Sequence, residues 1–234
     1  MAKKIYVADD EKSIRDIIYR FLTKEGFDVR TFSTGDELLD AFRKEVPDLV
    51  ILDIIMPGTD GFLISSRLRK LSTVPIIMVS ARDSEIDRVT GFSLGSDDYM
   101  TKPFSPSELV VRVKSCLRRI EMDTGKFGEN QVYEYSNIKI DTSTREAHAG
   151  ENKIDLTPTE YSLMIYFIKN HSRAVSREEL LENVWKYDFG IDTRATDDVI
   201  KRLRKKLLAA GSSAKIESVW GFGFKFQDED TKSD

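Results

Sequence analysis

The stretch Leu49-Val50-Ile51-Leu52, at residues 49–52, is apolar throughout, as a β-strand covered on both faces is. Four further strand-like runs lie in the first half of the chain, at residues 5–8, 29–32, 76–79 and 99–101, and several of them are also apolar throughout. Amphipathic helical stretches alternate with them, at residues 14–25, 36–45, 62–71, 85–94 and 106–119. The alternation predicts an α/β fold, a doubly wound (βα)5 parallel sheet.

The alternation stops after Arg119, and a different order of elements follows. Strand-like residues from 132 to 156, then three helices and a terminal hairpin, predict a smaller α+β domain. We therefore expect an α/β domain over residues 1–120, a polar linker over 121–131, the second domain over 132–228 and an acidic tail over 229–234.

Composition limits the classes to which the chain can belong. Of its 234 residues, 40% are hydrophobic and 32% are charged, which is ordinary for globular proteins and excludes general disorder. The single cysteine, Cys116, cannot form a disulfide within the chain, and no apolar run approaches the roughly 20 residues that cross a bilayer. We expect a cytoplasmic protein with no membrane partner.

Acidic side chains follow two of the predicted strands. Asp9 and Asp10 come directly after the first strand, and Asp53 comes after the third. In the common doubly wound strand order these two strands are neighbours, so the three carboxylates are expected within a few ångströms of one another. Either one carboxyl group stays protonated or a cation neutralises the cluster, and we favour Mg²⁺, which prefers oxygen ligands.

The ends of the fourth and fifth strands bring Ser80 and Lys102 to the same edge of the sheet. An aspartate beside a divalent cation and a lysine can attack a phosphoryl group. Asp53 is then the nucleophile, Lys102 neutralises phosphoryl oxygens and the Ser80 hydroxyl donates a hydrogen bond. The predicted product is an aspartyl phosphate.

Two other functions compete with this prediction. A phosphohydrolase that works through an aspartyl phosphate places a second aspartate two residues after the nucleophile, where this chain has Ile55. A nucleotide-binding module needs a glycine-rich loop after the first strand, where this chain has Asp9 and Asp10. Both alternatives are therefore less favoured.

These residues resemble the signature of two-component receiver domains. The resemblance is carried by Asp9-Asp10, Asp53-Ile54-Ile55-Met56-Pro57-Gly58, Ser80-Ala81, Gly95-Ser96-Asp97-Asp98-Tyr99 and Lys102-Pro103-Phe104. It implies that Asp53 is the phosphoacceptor. It also implies that Asp10, Asp53 and the backbone carbonyl of Ile55 bind the metal, with Asp9 acting through water. Ser80 and Tyr99 would form the switch that responds to phosphorylation.

Charged residues near the last two helices of the first domain resemble the dimer interface of the OmpR/PhoB branch of response regulators. The resemblance implies salt bridges between two copies of the chain, each used twice. The expected pairs are Arg88 with Glu108, Asp98 with Arg112 and Asp97 with Arg119, around Val89, Phe92 and Val110. Without the resemblance, exposed ion pairs on solvated helices would explain the same pattern.

A basic stripe lies in the second domain, although the net charge of the chain is −4. Residues 194–206 carry about six Lys or Arg against two Asp. Read at helical spacing, an apolar stripe of Thr196, Ile200, Leu203 and Leu207 forms one face, and Arg194, Lys201, Arg202, Arg204 and Lys205 fall largely outside it. A capped helix before this one and a hairpin after it are what a winged helix-turn-helix needs.

The C-terminal half resembles the OmpR/PhoB winged-helix effector domain, from Leu156-Thr157-Pro158-Thr159-Glu160-Tyr161 to Gly221-Phe222-Gly223-Phe224. The resemblance implies that Arg202 contacts a base edge, while Arg194, Lys201 and Arg204 serve mainly as phosphate contacts. Lys205 is a further expected DNA contact, and Lys225 is expected to contact only a phosphate. Val199 would face the groove. Trp220 stands where many members have an arginine, and we expect it to be a core residue, like Trp185.

The resemblance covers nearly the whole chain. It implies a DNA-binding transcriptional regulator, not an enzyme, that a sensor histidine kinase phosphorylates on Asp53. The phosphorylated chain would form a homodimer on repeated half-sites of promoter DNA and act with RNA polymerase. A regulator with a vestigial receiver, which binds DNA without phosphorylation, is the main alternative.

Overall fold

The computed structural model describes residues 2–81, 95–125, 131–185 and 194–228. The chain divides into two compact units, Met1–Leu117 and Arg118–Asp234. Among the described residues, no helix combines the length and the apolar character that a membrane span requires. The helix predicted over residues 85–94 and the acidic tail lie outside the described residues.

The N-terminal elements alternate between strands and helices, as predicted. They are β1 (Lys4–Ala8), α1 (Lys12–Lys24), β2 (Asp28–Phe32), α2 (Gly35–Lys44), β3 (Leu49–Asp53), α3 (Gly61–Leu71), β4 (Ile76–Ser80), β5 (Asp98–Thr101) and α4 (Pro106–Gly125). The strands are parallel in the order β2-β1-β3-β4-β5, which confirms the doubly wound sheet. Every residue of β3 and β4 is buried, because helices cover both faces of the sheet.

Helix α4 is longer than predicted. Its last residue is Gly125, whereas the sequence pattern predicted an end at Arg119 and a linker from residue 121. That part of the linker prediction is wrong. Residues 120–125 mix apolar Ile120 and Met122 with polar residues and contain no proline, so nothing in their composition breaks the helical hydrogen bonds before Gly125.

The C-terminal unit begins with a four-stranded antiparallel sheet in the order β6-β7-β8-β9. Its strands are β6 (Val132–Tyr135), β7 (Ile138–Asp141), β8 (Glu146–Ala149) and β9 (Asn152–Lys153). The following elements are α5 (Pro158–Lys169), β10 (Ala174–Ser176), α6 (Arg177–Leu180), a π-helical turn (Leu181–Trp185), α7 (Arg194–Ala209), β11 (Ala214–Val219) and β12 (Gly223–Asp228). Strands β10, β12 and β11 form a second antiparallel sheet that contains the predicted hairpin.

Side-chain caps begin α5 and α6. Thr157 accepts a hydrogen bond from the backbone N–H of Glu160, whose carboxylate accepts from the N–H of Thr157, so α5 begins with a complete capping box. Ser176 accepts from the N–H of Glu179 at the start of α6. Both helix starts were visible in the sequence because each hydroxyl residue precedes a glutamate by three positions.

The apolar stripe of α7 faces the core, as predicted. Thr196, Ile200 and Leu203 are fully buried and Leu207 is 3% exposed. Val199 is also fully buried, so the expectation that it faces a DNA groove is wrong. Its position, one residue before Ile200, broadens the apolar stripe rather than leaving it, because a core-facing helix buries an arc of about 100°.

The two tryptophans of the chain lie in opposite environments. Trp185 is fully buried, as predicted, but Trp220 is 99% exposed, so the prediction of a core residue is wrong for Trp220. Residues 220–222 form the turn of the β11–β12 hairpin, beyond the last strand pair of Val219 with Gly223. Turn residues of a hairpin project past the sheet, whatever their hydrophobicity.

Candidate functional site

Three carboxylates meet at the carboxyl edge of the parallel sheet. One carboxylate oxygen each of Asp9, Asp10 and Asp53 lies within 4.8 Å of the others. Asp9 and Asp53 are buried, at 1% and 3% exposure, whereas Asp10 is exposed. These distances confirm the predicted cluster. The carboxylates lie together because β1 and β3 are neighbours and both end at this edge.

Lys102 joins this cluster from the loop after β5. Its Nζ atom lies 2.7 Å from Oδ2 of Asp53, 2.8 Å from Oδ2 of Asp9 and 3.3 Å from Oε1 of Glu11. Burial lowers the pKa of Lys102, but its hydrogen bonds to Asp53 and Asp9 outweigh burial and hold this pKa above its ordinary value. Lys102 is therefore a permanent cation.

Burial is also the largest influence on the two buried carboxyl groups. It raises the pKa of Asp9 and of Asp53 above their usual range, and the hydrogen bonds from Lys102 offset only part of this effect. Each carboxylate is therefore costly to keep charged with one lysine as counterion. The cluster can accommodate further positive charge, and its carboxylate oxygens are the ligands that hard divalent cations prefer.

Backbone contacts hold these carboxylates in place. The N–H of Glu11 donates to Oδ1 of Asp9 at 2.9 Å, and the N–H of Ile55 donates to Oδ1 of Asp53 at 3.1 Å. Gly61 packs against the backbone of Asp53, where a Cβ atom would lie 2.1 Å from the carbonyl oxygen. The geometry of Asp53 is thus determined by its neighbours in the chain and by α3.

The predicted switch residues lie on the neighbouring strands. Ser80 ends β4 and is fully buried, and Tyr99 in β5 is 7% exposed. The backbone carbonyl of Ser80 accepts from the N–H of Lys102 at 2.7 Å, which connects the end of β4 to the lysine. The sheet therefore brings Ser80 and Lys102 to one edge, as predicted.

Asp97 and Arg119 do not have the roles that the resemblance implied. Asp97 is fully buried and its carboxylate accepts a hydrogen bond from Nη2 of Arg69 at 2.7 Å. Arg119 is 4% exposed, donates to Oγ1 of Thr159 at 2.9 Å and lies over the Trp185 ring, 6.0 Å from its centroid. Both side chains have these partners inside the single chain, so the prediction that they pair with each other across a dimer disagrees with the structure.

Another predicted dimer pair, Asp98 with Arg112, forms within one chain. Nη1 of Arg112 donates to both carboxylate oxygens of Asp98, at 2.9 and 3.1 Å, and Nη2 of Arg112 donates to Glu108 at 2.7 Å. Val110 is 8% exposed and belongs to the core, which contradicts its predicted place at the interface. Arg88, Val89 and Phe92 lie outside the described residues.

A buried carboxylate in the C-terminal unit explains why Arg202 is not a free DNA contact. Glu160 is fully buried, with its Oε1 atom 2.5 Å from Nε of Arg202 and its Oε2 atom 2.7 Å from Nζ of Lys206. Burial raises the pKa of Glu160, but the two cations outweigh it and keep this pKa below its usual range. The side chain of Arg202 is 11% exposed. A base contact would break a buried ion pair, so that prediction disagrees with the structure.

The other predicted DNA contacts divide by exposure. Lys201 and Lys205 are exposed on α7 and Lys225 is half-buried on β12. Arg204 is held against β11, where it donates to the carbonyl of Ile216 at 2.7 Å and to Oγ of Ser218 at 3.0 Å. The side chain of Arg194 lies outside the described part of the chain. Among the residues of α7 whose side chains the structure describes, the exposed cations are thus Lys201 and Lys205.

Sequence reasoning missed three partners of charged groups: Arg69 for Asp97, Glu160 for Arg202, and Asp197 for Arg177, whose guanidinium donates to it at 2.8 and 2.9 Å. One sequence feature pointed to a structural role for Glu160, because it occupies the last position of a capping box. The partners of Arg69 and Arg177 lie 28 and 20 residues away, and no local pattern identifies them.

Comparisons with known proteins agree with this architecture. Residues 5–114 match the response regulator receiver domain family, and residues 150–226 match the family described as transcriptional regulatory protein, C terminal. Transcriptional regulatory protein SrrA of Staphylococcus aureus is 38% identical over 232 residues, which span 97% of this chain and 96% of SrrA.

Two solved structures are similar in fold over the parts of this chain that they cover. A mutant of RitR has a TM-score of 0.78 at 25% identity, over 97% of this chain and 100% of that chain. A CheY-like receiver domain protein from Methanospirillum hungatei has a TM-score of 0.51 at 29% identity, over 53% of this chain and 99% of that chain.

The fold, the acidic edge and these likenesses define a response regulator of two-component systems. The chain belongs to the OmpR/PhoB family, in which a receiver domain precedes a winged-helix DNA-binding domain. It is a DNA-binding transcription regulator controlled by phosphorylation, and its acidic pocket is of the kind in which receiver domains bind Mg²⁺.

Proposed function

We propose that this chain acts in the cytoplasm and accepts a phosphoryl group on Asp53 from a phosphohistidine of a sensor histidine kinase. The observation that carries the proposal is the position of Asp53. Its carboxylate ends a buried strand, contacts Lys102 at 2.7 Å and lies within 4.8 Å of two further carboxylates. A nucleophile beside a fixed cation and a set of oxygen ligands is what phosphoryl transfer requires.

The transfer uses the side chains that surround Asp53. One carboxylate oxygen of Asp53 forms a new bond to phosphorus while the P–N bond of the phosphohistidine breaks, and the imidazole leaves with a proton from solvent. Lys102 is already in contact with Asp53 and neutralises a phosphoryl oxygen. The Ser80 hydroxyl donates a hydrogen bond to another phosphoryl oxygen. Together with Tyr99, it transmits the added charge at Asp53 to the part of the domain around β4 and β5.

We also propose that Asp9, Asp10, Asp53 and the carbonyl of Ile55 hold Mg²⁺. Carboxylate and carbonyl oxygens are the ligands that this ion prefers. When bound there, Mg²⁺ supplies positive charge to the phosphoryl oxygens. Lys102 contacts both Asp53 and Asp9, but its single charge does not neutralise three carboxylates, which supports a second cation at this site.

Phosphorylation then favours a homodimer and DNA binding. Arg112 contacts both Asp98 and Glu108 in the single chain, and the same groups can exchange partners across a two-fold axis. Two C-terminal units in such a dimer place their α7 helices in the major groove at repeated half-sites of promoter DNA, where RNA polymerase is the further partner.

The aspartyl phosphate is stored rather than turned over. A phosphohydrolase would need an acid two residues after Asp53, and Ile55 occupies that position with an aliphatic side chain that is 47% exposed. The group that would activate a leaving group or a water is therefore absent at that position. We expect no sustained release of phosphate from small phosphoesters.

The proposal is tested with the full chain, Mg²⁺ and acetyl phosphate as a small phosphoryl donor. Intact-mass spectrometry detects the added phosphoryl group, and light scattering with beryllium fluoride detects the dimer. Asp53→Asn should lose both responses. Asp28→Asn changes an exposed aspartate at the opposite end of the sheet and should keep both. If Asp53→Asn still dimerises with beryllium fluoride, phosphorylation of this residue does not control assembly and the vestigial-receiver alternative is correct.

A further inference from the structure

Asp10 differs from the other two carboxylates of the acidic cluster in how the structure holds it. The carboxylates of Asp9 and Asp53 are buried, and each accepts a backbone N–H and contacts Lys102. Asp10 is exposed and lies in a bend between β1 and α1. Ordering an exposed side chain in one direction has an entropic cost, so a contact that fixes Asp10 matters more than one that fixes a buried residue.

Arg15 of α1 supplies such a contact. Its Nη1 atom donates to the backbone carbonyl of Asp9 at 2.6 Å and to that of Asp10 at 2.9 Å. A terminal guanidinium nitrogen carries two hydrogens, so one nitrogen can donate to both oxygens. The two carbonyls flank the Cα atom of Asp10. Their common donor therefore restricts both backbone dihedrals of Asp10, and with them the direction of its Cα–Cβ bond.

The contact with Arg15 does not use the carboxylate oxygens of the cluster. Arg15 bonds to carbonyl oxygens, whereas Lys102 bonds to carboxylate oxygens of Asp9 and Asp53. Hydrogen bonds from a charged donor are about twice as strong as neutral ones. The N-cap residue of α1, Glu11, makes no side-chain hydrogen bond to the helix start, so Arg15 rather than a capping side chain connects the first turns of α1 to the bend.

We propose that Arg15 is a positioning residue for the divalent cation. By holding the backbone of Asp9 and Asp10, it keeps the Asp10 carboxylate in the cluster, where one oxygen of each carboxylate lies within 4.8 Å of the others. The inference rests on the proposed Mg²⁺ site and adds to it a residue whose own contacts are with the backbone. Groups that orient metal ligands in this way typically contribute roughly 10- to 100-fold to metal affinity.

Cation binding tests this role without any phosphoryl transfer. Mn²⁺ prefers the same oxygen ligands as Mg²⁺, and its electron paramagnetic resonance signal measures the free ion during a titration of the unphosphorylated full chain. Arg15→Met should weaken Mn²⁺ binding by about 10-fold. Arg15→Lys, which keeps the charge and a hydrogen-bond donor, should restore part of the affinity. Arg20→Met removes the same charge from an exposed position of α1 and should bind Mn²⁺ as the wild type does.

Phosphorylation by acetyl phosphate provides the second readout, because it separates cation binding from the chemical step. Arg15→Met should need about 10-fold more Mg²⁺ to reach half of its maximal rate, while its rate at saturating Mg²⁺ equals that of the wild type. Urea unfolding without metal shows whether the variant is folded. If Arg15→Met is unfolded, Arg15→Lys decides the question, since it should still bind Mn²⁺ more weakly than the wild type.

Two outcomes would overturn the inference and leave the proposed function intact. Equal Mn²⁺ affinity of the wild type and the folded Arg15 variant would show that the bend holds Asp10 without the arginine. An equal loss of affinity in Arg20→Met would assign the effect to net charge rather than to the contacts with the two carbonyls. A wild-type chain that binds no Mn²⁺ would refute the proposed cation site itself, and this inference with it.

Discussion

Nη2 of Arg69 lies 2.7 Å from Oδ2 of Asp97, and that oxygen also accepts from the backbone N–H of Ile76 at 3.0 Å. Arg69 donates further to the carbonyl of Gly95 at 2.7 Å and to that of Val74. The pair therefore connects the end of α3 to the start of β4 and to the loop before β5. Asp97 therefore stabilises the interior of one receiver domain and does not lie on its surface.

Replacing this carboxylate should destabilise the single chain. We expect Asp97→Asn to lower the free energy of unfolding by about 2 kcal/mol, because it leaves a largely buried guanidinium without its counter-charge. Urea unfolding of the unphosphorylated protein measures this. Glu108→Gln, at a side chain that is 43% exposed, should change the free energy by less than about 0.5 kcal/mol. Equal stability of Asp97→Asn and the wild type would return Asp97 to the predicted dimer interface.

Lys102 and Mg²⁺ are expected to compete for the same carboxylates. Lys102→Met removes the cation that contacts Asp9 and Asp53, so the variant should be less stable than the wild type without metal. Mg²⁺ should then raise its melting temperature more than that of the wild type, and EDTA should reverse the gain. Differential scanning calorimetry with and without Mg²⁺ checks this. A Mg²⁺ response smaller than that of the wild type would mean that Lys102 helps to hold the ion.

Gly61 allows Asp53 to keep its position. A Cβ atom at residue 61 would lie 2.1 Å from the carbonyl oxygen of Asp53 and 2.7 Å from Cα of Ile54, both backbone atoms that cannot move aside cheaply. Gly61→Ala should therefore displace Asp53 and slow phosphorylation by acetyl phosphate by about 10-fold or more. Leu63→Ala, at an exposed position of the same helix, is the matched control and should react at the wild-type rate.

The contrast between Asp53 and Arg202 explains what the sequence could predict. Asp53 follows a wholly apolar strand, and parallel strands bring all such positions to one edge, so local pattern and topology were sufficient. Arg202 lies in the basic stripe of α7, but the direction in which its side chain points depends on Glu160, 42 residues earlier. Helical periodicity does not show which surface cation has a buried partner. The sequence pattern placed Trp220 between the two strands of the predicted hairpin, and the expectation of a core residue there was wrong because it followed the size of the side chain rather than its place in the turn.

Glu160 should make the stability of the C-terminal unit depend on pH. Burial raises its pKa, but Arg202 and Lys206 reverse this and hold the pKa below the ordinary 4.5. The unfolded chain then binds the proton more readily than the folded chain. The stabilisation by Glu160 is complete above the unfolded pKa and is lost as the pH falls through the lower folded pKa.

We therefore expect Glu160→Gln to lower the free energy of unfolding by about 3 kcal/mol near neutral pH, with a smaller difference from the wild type in acid. Urea unfolding followed by Trp185 emission in a Trp220→Phe background reports on this unit. Glu134→Gln, at a side chain that is 62% exposed, should match its parent at every pH. A difference between Glu160→Gln and its parent that grows on acidification would contradict the depressed pKa.

The cations of α7 should separate into two groups when DNA binding is measured against salt. Lys201 and Lys205 are exposed, so each alanine variant should reduce the slope of log affinity against log salt by about 1, uniformly across sequences. Lys139→Ala, at an exposed lysine of β7, should leave the slope unchanged. Arg202→Gln should instead lower stability, since it leaves the buried carboxylate of Glu160 with Lys206 alone. Preference is measured with a duplex enriched from a random pool by the wild-type chain. If Arg202→Gln kept wild-type stability but lost preference for this duplex, Arg202 would leave Glu160 to read a base when DNA is bound.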